Sequence, residues 1–256
     1  MKKTLLLFAV GAVAAGCQEP RADIQKKVDE YAVVKVNSPL MEHLSDKDRQ
    51  VLNLFREAGQ IIDELFWEQT FGDKALLMNG INDEAERMYA GINYGPWDRL
   101  DDNLPFIDGY GQKPAGANYY PADITAEEFA AFSDPDKLSP YTVLRRDSEG
   151  NLKCVWYRDE YREKLDRICL YLEEAAAITE NKGLRNYLLK RVEAFRTDDY
   201  FESDLAWMDM KDSKIDIVIG PIESYDDKLN ELKTSYECFI LLKDEERSAD
   251  LAKYVS

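Results

Sequence analysis

Apolar residues recur along this chain with two periods. Val51, Leu52, Leu54, Phe55, Ala58, Ile61, Ile62, Leu65 and Phe66 keep the i, i+3, i+4, i+7 spacing of one helix face. Ser45-Asp46-Lys47-Asp48 precedes them as an N-cap, so a helix is predicted through about Gln69. Asp73 caps a short helix to Asn79, and 83–90 reads as another. Thr125 opens a third short helix, with Glu128 at the capping-box position. Helical patterns continue over 158–178, over 183–195 after Asn181, from Asp198 or Asp199 to about Met208, and over 246–254 after Asp244.

The second period is two. Ile215, Ile217 and Ile219 alternate with less apolar neighbours, which reads as a half-buried strand over 214–219 that Gly220-Pro221 ends. Residues 236–242 are a further strand, and 141–146 with 152–155 form a hairpin around a four-residue turn, Asp147-Ser148-Glu149-Gly150. The β-branched run within 28–39, closed by Pro39, reads as an extended segment or short strand. Between the helices and the hairpin, 91–124 interleaves Gly and Pro with Tyr94, Trp97, Phe106, Tyr110, Tyr119 and Tyr120. Gly and Pro at that density prevent a long helix or strand. The aromatics should pin this loop onto the core, with or without a ligand beside it. The elements add up to an α+β fold. A mostly helical N-terminal half surrounds a small mixed or antiparallel sheet, wrapped by the 91–124 loop.

Composition narrows the partners. The 256 residues are 45% apolar, enough for a real core, and the net charge of −17 argues against nucleic acid as a partner, since binding a phosphate backbone needs an extended basic surface. The N-terminus reads as a targeting segment: Lys2 and Lys3, then an apolar run over 4–13 too short to span a membrane. Ala14-Ala15-Gly16-Cys17 looks like a bacterial lipobox, with Ala14 where Leu is commoner. The expectation is a signal peptide over 1–16, lipidation at Cys17, a tether over 17–27 and a soluble domain over 28–256 held at the bacterial cell envelope. The alternative is a plain secretory signal with an incidental cysteine. Cys154, Cys169 and Cys238 are an odd set in apolar surroundings without zinc-ligand spacing, and read as buried free thiols.

Candidate chemistry concentrates past the strand end. Glu223, Tyr225, Asp226 and Asp227 follow Gly220-Pro221, and polar groups just beyond a rigid strand can be held for recognition. Glu223 and Tyr225 are the residues expected to face a ligand; a solvated strand end is the other reading. Glu223 with Asp226 or Asp227, or Asp98 with Asp101 or Asp102, would be the carboxylate pairs for a glycosidase-like hydrolase. The single histidine, His43, has no second histidine to pair with, and neither an H-E-x-x-H motif nor a phosphate loop is present.

Three stretches carry a resemblance: 64–77 (ELFWEQTFGDKALL), 93–125, which contains NYGPWDRLDDNLPFIDGYG, and 197–227, which contains IVIGPIESYDD. They resemble the bacterial dipeptidyl peptidase III family, zinc exopeptidases that release dipeptides from peptide N-termini. The resemblance implies a two-lobed peptidase of which this chain is the N-terminal portion, mostly the lower, substrate-binding lobe. It also implies that Glu223 and Tyr225 bind the free N-terminus of a peptide. A carboxylate opposite an ammonium makes a charge-assisted hydrogen bond. The family's zinc is expected in an intact member, on an H-E-x-x-G-H helix and a later Glu; this sequence contains no such motif, so no catalytic or metal residue is assigned. Ser256 falls inside a helical pattern without a stop signal, which fits a sequence cut short as well as a natural short paralogue. The leading expectation is therefore the peptide-binding portion of such a peptidase, inactive alone. The alternative is a non-catalytic envelope lipoprotein that binds peptides or a protein partner.

Overall fold

The computed structural model describes residues 21–35 and 38–254. The signal segment and Cys17 lie outside the described residues. The helices α1 (Ala22–Asp29), α2 (Asp46–Thr70), α3 (Lys74–Gly80) and α4 (Glu84–Asn93) come first. The minimal strands β1 (Trp97–Asp98) and β2 (Leu104–Pro105), helix α5 (Ala126–Ala131) and the hairpin β3 (Thr142–Arg146) and β4 (Leu152–Trp156) follow. Then come α6 (Tyr157–Glu160), α7 (Arg162–Ile178), α8 (Lys182–Thr197) and α9 (Phe201–Asp209). The strands β5 (Ile215–Glu223) and β6 (Ser235–Leu242) and helix α10 (Glu245–Ala252) complete the described chain. Each sheet is two-stranded and antiparallel: β1 with β2, β3 with β4 and β5 with β6. The α+β expectation holds, with small antiparallel sheets among helices.

The long helix α2 organises the core. Its start is a full capping box: Ser45 Oγ accepts the Asp48 N–H at 3.1 Å, and the Asp48 carboxylate accepts the Ser45 N–H at 3.1 Å. Val51, Phe55, Ala58, Ile61, Ile62 and Leu65 then point inward and are buried against α7 and β6. Burial of each large member stabilises the fold by roughly 1.5–3 kcal/mol. α8 packs on α7, and α9 on α8. A second, smaller core joins Ile24 and Val28 of α1 to Trp67, Leu77, Ile81, Tyr89 and Phe106.

Two expectations at the N-terminal side change. The tether expected up to residue 27 is helical from Ala22 and docked on α4. Arg21 fastens it, donating through its backbone N–H to Asp83 at 2.9 Å and through Nη1 to Glu86 at 2.9 Å and the Phe106 carbonyl at 2.8 Å. Of the extended segment or short strand expected within 28–39, no strand forms among the described residues; Val33 and Val34 are exposed, and no neighbouring strand offers them a ladder. The 91–124 loop does wrap the core. Trp97, Phe106, Tyr119 and Tyr120 are buried, and Asn118 donates its N–H to the Gln69 carbonyl at 2.9 Å.

Candidate functional site

β5 does not stop at Gly220-Pro221 but runs on to Glu223. Its inner residues Ile215, Ile217 and Ile219 are buried, as their alternation required. Pro221 brings no donor to the ladder. The Tyr236 N–H opposite it is taken by Gln69 Oε1 of α2 at 2.8 Å, while Gln69 Nε2 donates to the Thr234 carbonyl at 3.2 Å. A buried side chain from another element thus pairs the backbone of β6 where β5 runs past the proline. Gly220, at φ +147, permits a close approach. A Cβ there would lie 3.2 Å from Arg191 Nη1 and 3.6 Å from the Tyr200 ring. Beneath it lies a buried aromatic group in which Tyr157, Tyr161 and Phe195 each lie near Tyr236, with ring centroids 5.6, 5.9 and 6.2 Å away. The floor of the strand end is therefore rigid.

A register shift between Pro221 and Glu223 then re-aims the chain. Glu223, opposite Ser235, is half-buried, and Tyr225 is 70% exposed. Glu237 pairs across from Gly220. Glu237 lies two residues beyond Ser235 and so stands diagonally across the ladder from Glu223; burial raises its proton affinity, and the charges of Glu223 and then Asp226 raise it further. Among the described residues neither Glu223 nor Glu237 has a hydrogen-bonding or ion-pairing partner. Sequence reasoning missed Glu237; its signal was a lone acid within an otherwise apolar strand.

Asp226 and Asp227 are not partners for Glu223 in acid/base chemistry. Asp226 Oδ1 accepts from Lys113 Nζ at 2.7 Å and Arg99 Nη2 at 2.8 Å. Burial pushes its pKa up, but these two cations outweigh it and hold the carboxyl below the usual range. Asp227 accepts the Tyr120 hydroxyl at 2.7 Å and the backbone N–H groups of Leu229, Asn230, Leu232 and Lys233 at 3.0–3.1 Å. It builds the turn between β5 and β6 and ties it to the 91–124 loop. The second carboxylate pair also falls away, since Asp98 is buried and bonded to Lys27, which lies 3.6 Å from Asp101. Neither of the carboxylate pairings expected for a glycosidase-like hydrolase is therefore free to act.

The residues do not fit a zinc ion. His43 is exposed in the 3-10 turn Pro39–His43, and among the described residues no group of three or more His, Cys, Asp or Glu is placed to hold a metal. Cys154, Cys169 and Cys238 are free, and burial pushes each thiol up to about 12.

Comparison with known proteins agrees with this geometry. Residues 133–256 match Peptidase family M49. The chain is similar to the solved structure of DPP III from Caldithrix abyssi, at 39% identity and a TM-score of 0.79, covering 87% of this chain and 44% of that one. It is similar to dipeptidyl-peptidase III from Corallococcus sp. strain EGB at 30% identity and a TM-score of 0.83, covering 90% and 45%. Among curated proteins it is similar to Nudix hydrolase 3 of Arabidopsis thaliana, 29% identical over 290 aligned positions, which span 89% of this chain and 37% of that protein. The chain spans less than half the length of each of these relatives.

Proposed function

From the resemblance of this chain to the N-terminal portion of the dipeptidyl peptidase III family, we propose that it supplies the surface holding the N-terminal end of a peptide, with Glu223 and Tyr225 as binding residues. One observation carries the reading. Glu223 and Glu237 lie close together at a rigid strand end, and among the described residues nothing neutralises either of them. Two adjacent unpaired carboxylates repel each other, and an ammonium relieves that repulsion while donating hydrogen bonds to both. The half-buried setting of Glu223 strengthens the contact relative to open water. Tyr225 presents an exposed ring beside it, suited to pack along a peptide backbone or side chain.

The peptidase activity for which the two solved relatives are named needs chemistry that the described residues do not build. In a longer protein that also carries the zinc motif, the peptide end held here would set how far from the N-terminus cleavage falls. Alone, the chain binds without turnover. The Lys2–Cys17 segment supports a lipid-anchored protein of the bacterial cell envelope; its direct check is radiolabelled palmitate incorporation, expected in the natural chain and lost in Cys17→Ser. Label that persists in the variant removes the anchor.

Isothermal titration with a tetraalanine amide tests the binding reading. Glu223→Ala should weaken binding of the free-amine peptide by about 2–5 kcal/mol, because the ammonium loses its partner. The N-acetylated peptide should bind as weakly to the natural chain as the free one does to the variant. Equal affinity of acetylated and free peptides for the natural chain overturns the role of Glu223.

A further inference from the structure

A cavity of about 360 Å³ opens beside Tyr225, between the 91–124 loop and the turn after β5. Its charge is the reverse of the molecule's. Arg99, Lys113 and Lys228 line it, against Asp226 and a rim carboxylate, Asp102, in a chain of net charge −17. One oxygen of Asp226 serves both Arg99 and Lys113, so one negative charge meets two buried or half-buried positive ones. Arg99 is oriented by Nε donation to the Asn93 carbonyl at 3.0 Å and by its guanidinium lying 5.2 Å from the Phe66 ring centroid. Lys228 is exposed at the mouth, its backbone fixed by donation to the Ala115 carbonyl at 2.7 Å. Among the described residues Arg99 Nη1 and Lys228 Nζ have no hydrogen-bond partner.

The geometry points to a carboxylate-binding subsite formed by Arg99, Lys113 and Lys228 beside Tyr225. It takes the side chain of an acidic residue near the start of a peptide, or the C-terminal carboxylate of a short one. The inference deepens the peptide-binding reading and rests on it for the ligand's other end. Tyr225 and Asp226, which line this cavity, follow Glu223 by two and three residues, so the acidic face and the cavity adjoin at the turn after β5. A peptide whose ammonium sits at Glu223 therefore starts next to a surplus of positive charge. The planar guanidinium suits bidentate contact with a carboxylate, and Lys228 adds a mobile point charge.

Titration calorimetry at low salt tests the subsite on the full chain. The probes are tetraalanine amide, the same peptide with Glu at each position in turn, tetraalanine with a free carboxyl end, and N-acetylglutamate amide. One Glu position, or the free carboxyl end, should tighten binding about tenfold over tetraalanine amide, and Lys228→Glu should remove that gain. Glu substitution distinguishes an acidic side chain from a C-terminal carboxylate as the source. Lys228→Gln, a milder change at an exposed position, should lose most of the gain and confirms that the fold is intact when its melting temperature is unaltered. Equal affinities for all the peptides, or a gain that survives Lys228→Glu, overturn the subsite while the ammonium reading stands. If N-acetylglutamate amide binds through Lys228 but free-amine tetraalanine does not bind, the ammonium reading fails and the subsite stands. Binding by none of the probes overturns both.

Discussion

Two kinds of carboxylate share the hairpin of β5 and β6. Asp226 and Asp227 are buried and engaged, the first by two cations and the second by four backbone N–H groups and a tyrosine hydroxyl. Glu223 and Glu237 are half-buried, and among the described residues neither has a partner. Residue type is nearly the same in both pairs, and so is the position along the chain. The difference lies in what the rest of the molecule brings to each. Engaged carboxylates hold the turn in place, and the unengaged ones keep their charge for something else. A site needs both: the free groups are useful only because the bound groups stop the segment from moving.

The contrast breaks most visibly at Asp227. Asp227→Ala leaves buried N–H groups and the Tyr120 hydroxyl without an acceptor, and should lower stability by about 3–5 kcal/mol in urea denaturation. A loss below 1 kcal/mol would mean that the turn is held by other contacts. Asp198 sharpens the comparison from a third direction. It is buried near Arg158, and burial, against the attraction of Arg158, raises its pKa from 3.8 to about 6. Between those values the folded chain keeps a proton that the unfolded chain gives up, so this group's contribution falls as pH rises from about 4 to 6. Asp198→Asn does not titrate, keeps an acceptor for the Arg158 N–H, and suits the left-handed backbone at φ +59. It should stabilise the chain by about 1–3 kcal/mol at pH 7.5 and leave it unchanged at pH 4. A variant less stable than the natural chain at pH 7.5 refutes the assignment. The smallest effect belongs to the free pair. Glu223→Gln and Glu237→Gln should each alter stability by no more than about 0.5 kcal/mol, since no partner is lost. A larger loss from either would move that residue into the engaged class and remove it from the candidate site.

Much of the fold was legible because periodicity reports burial directly. The stripe from Val51 to Leu65, the alternating isoleucines and the caps at Ser45, Asp73, Thr125, Asn181 and Asp244 all stand where the pattern put them, whereas α9 has Tyr200, not Asp198 or Asp199, at its N-cap position. The misses share a cause. Gly220-Pro221 is a local stop signal, yet β5 runs past it to Glu223 beside β6, whose Tyr236 N–H is accepted by Gln69, a residue far away in the chain. Ile24 and Val28 are two apolar residues four apart in a polar run, too few to announce a helix until α4 supplies a surface for them.

The candidate site divides along the same line. Glu223 and Tyr225 were legible because the Gly-Pro-Ile-Glu-Ser-Tyr stretch is contiguous and carries a family resemblance. Glu237 and the cation set of Arg99, Lys113 and Lys228 were not, since strand register and the path of the 91–124 loop bring them together. The sequence by itself determined which segments are helical, which alternate, which loop is aromatic and where acids cluster, because those depend on neighbours within a few positions. Only the tertiary structure decided which acids are neutralised. A carboxylate's role is set by the donors within hydrogen-bonding distance, and here most of the side chains that supply them come from segments distant in sequence.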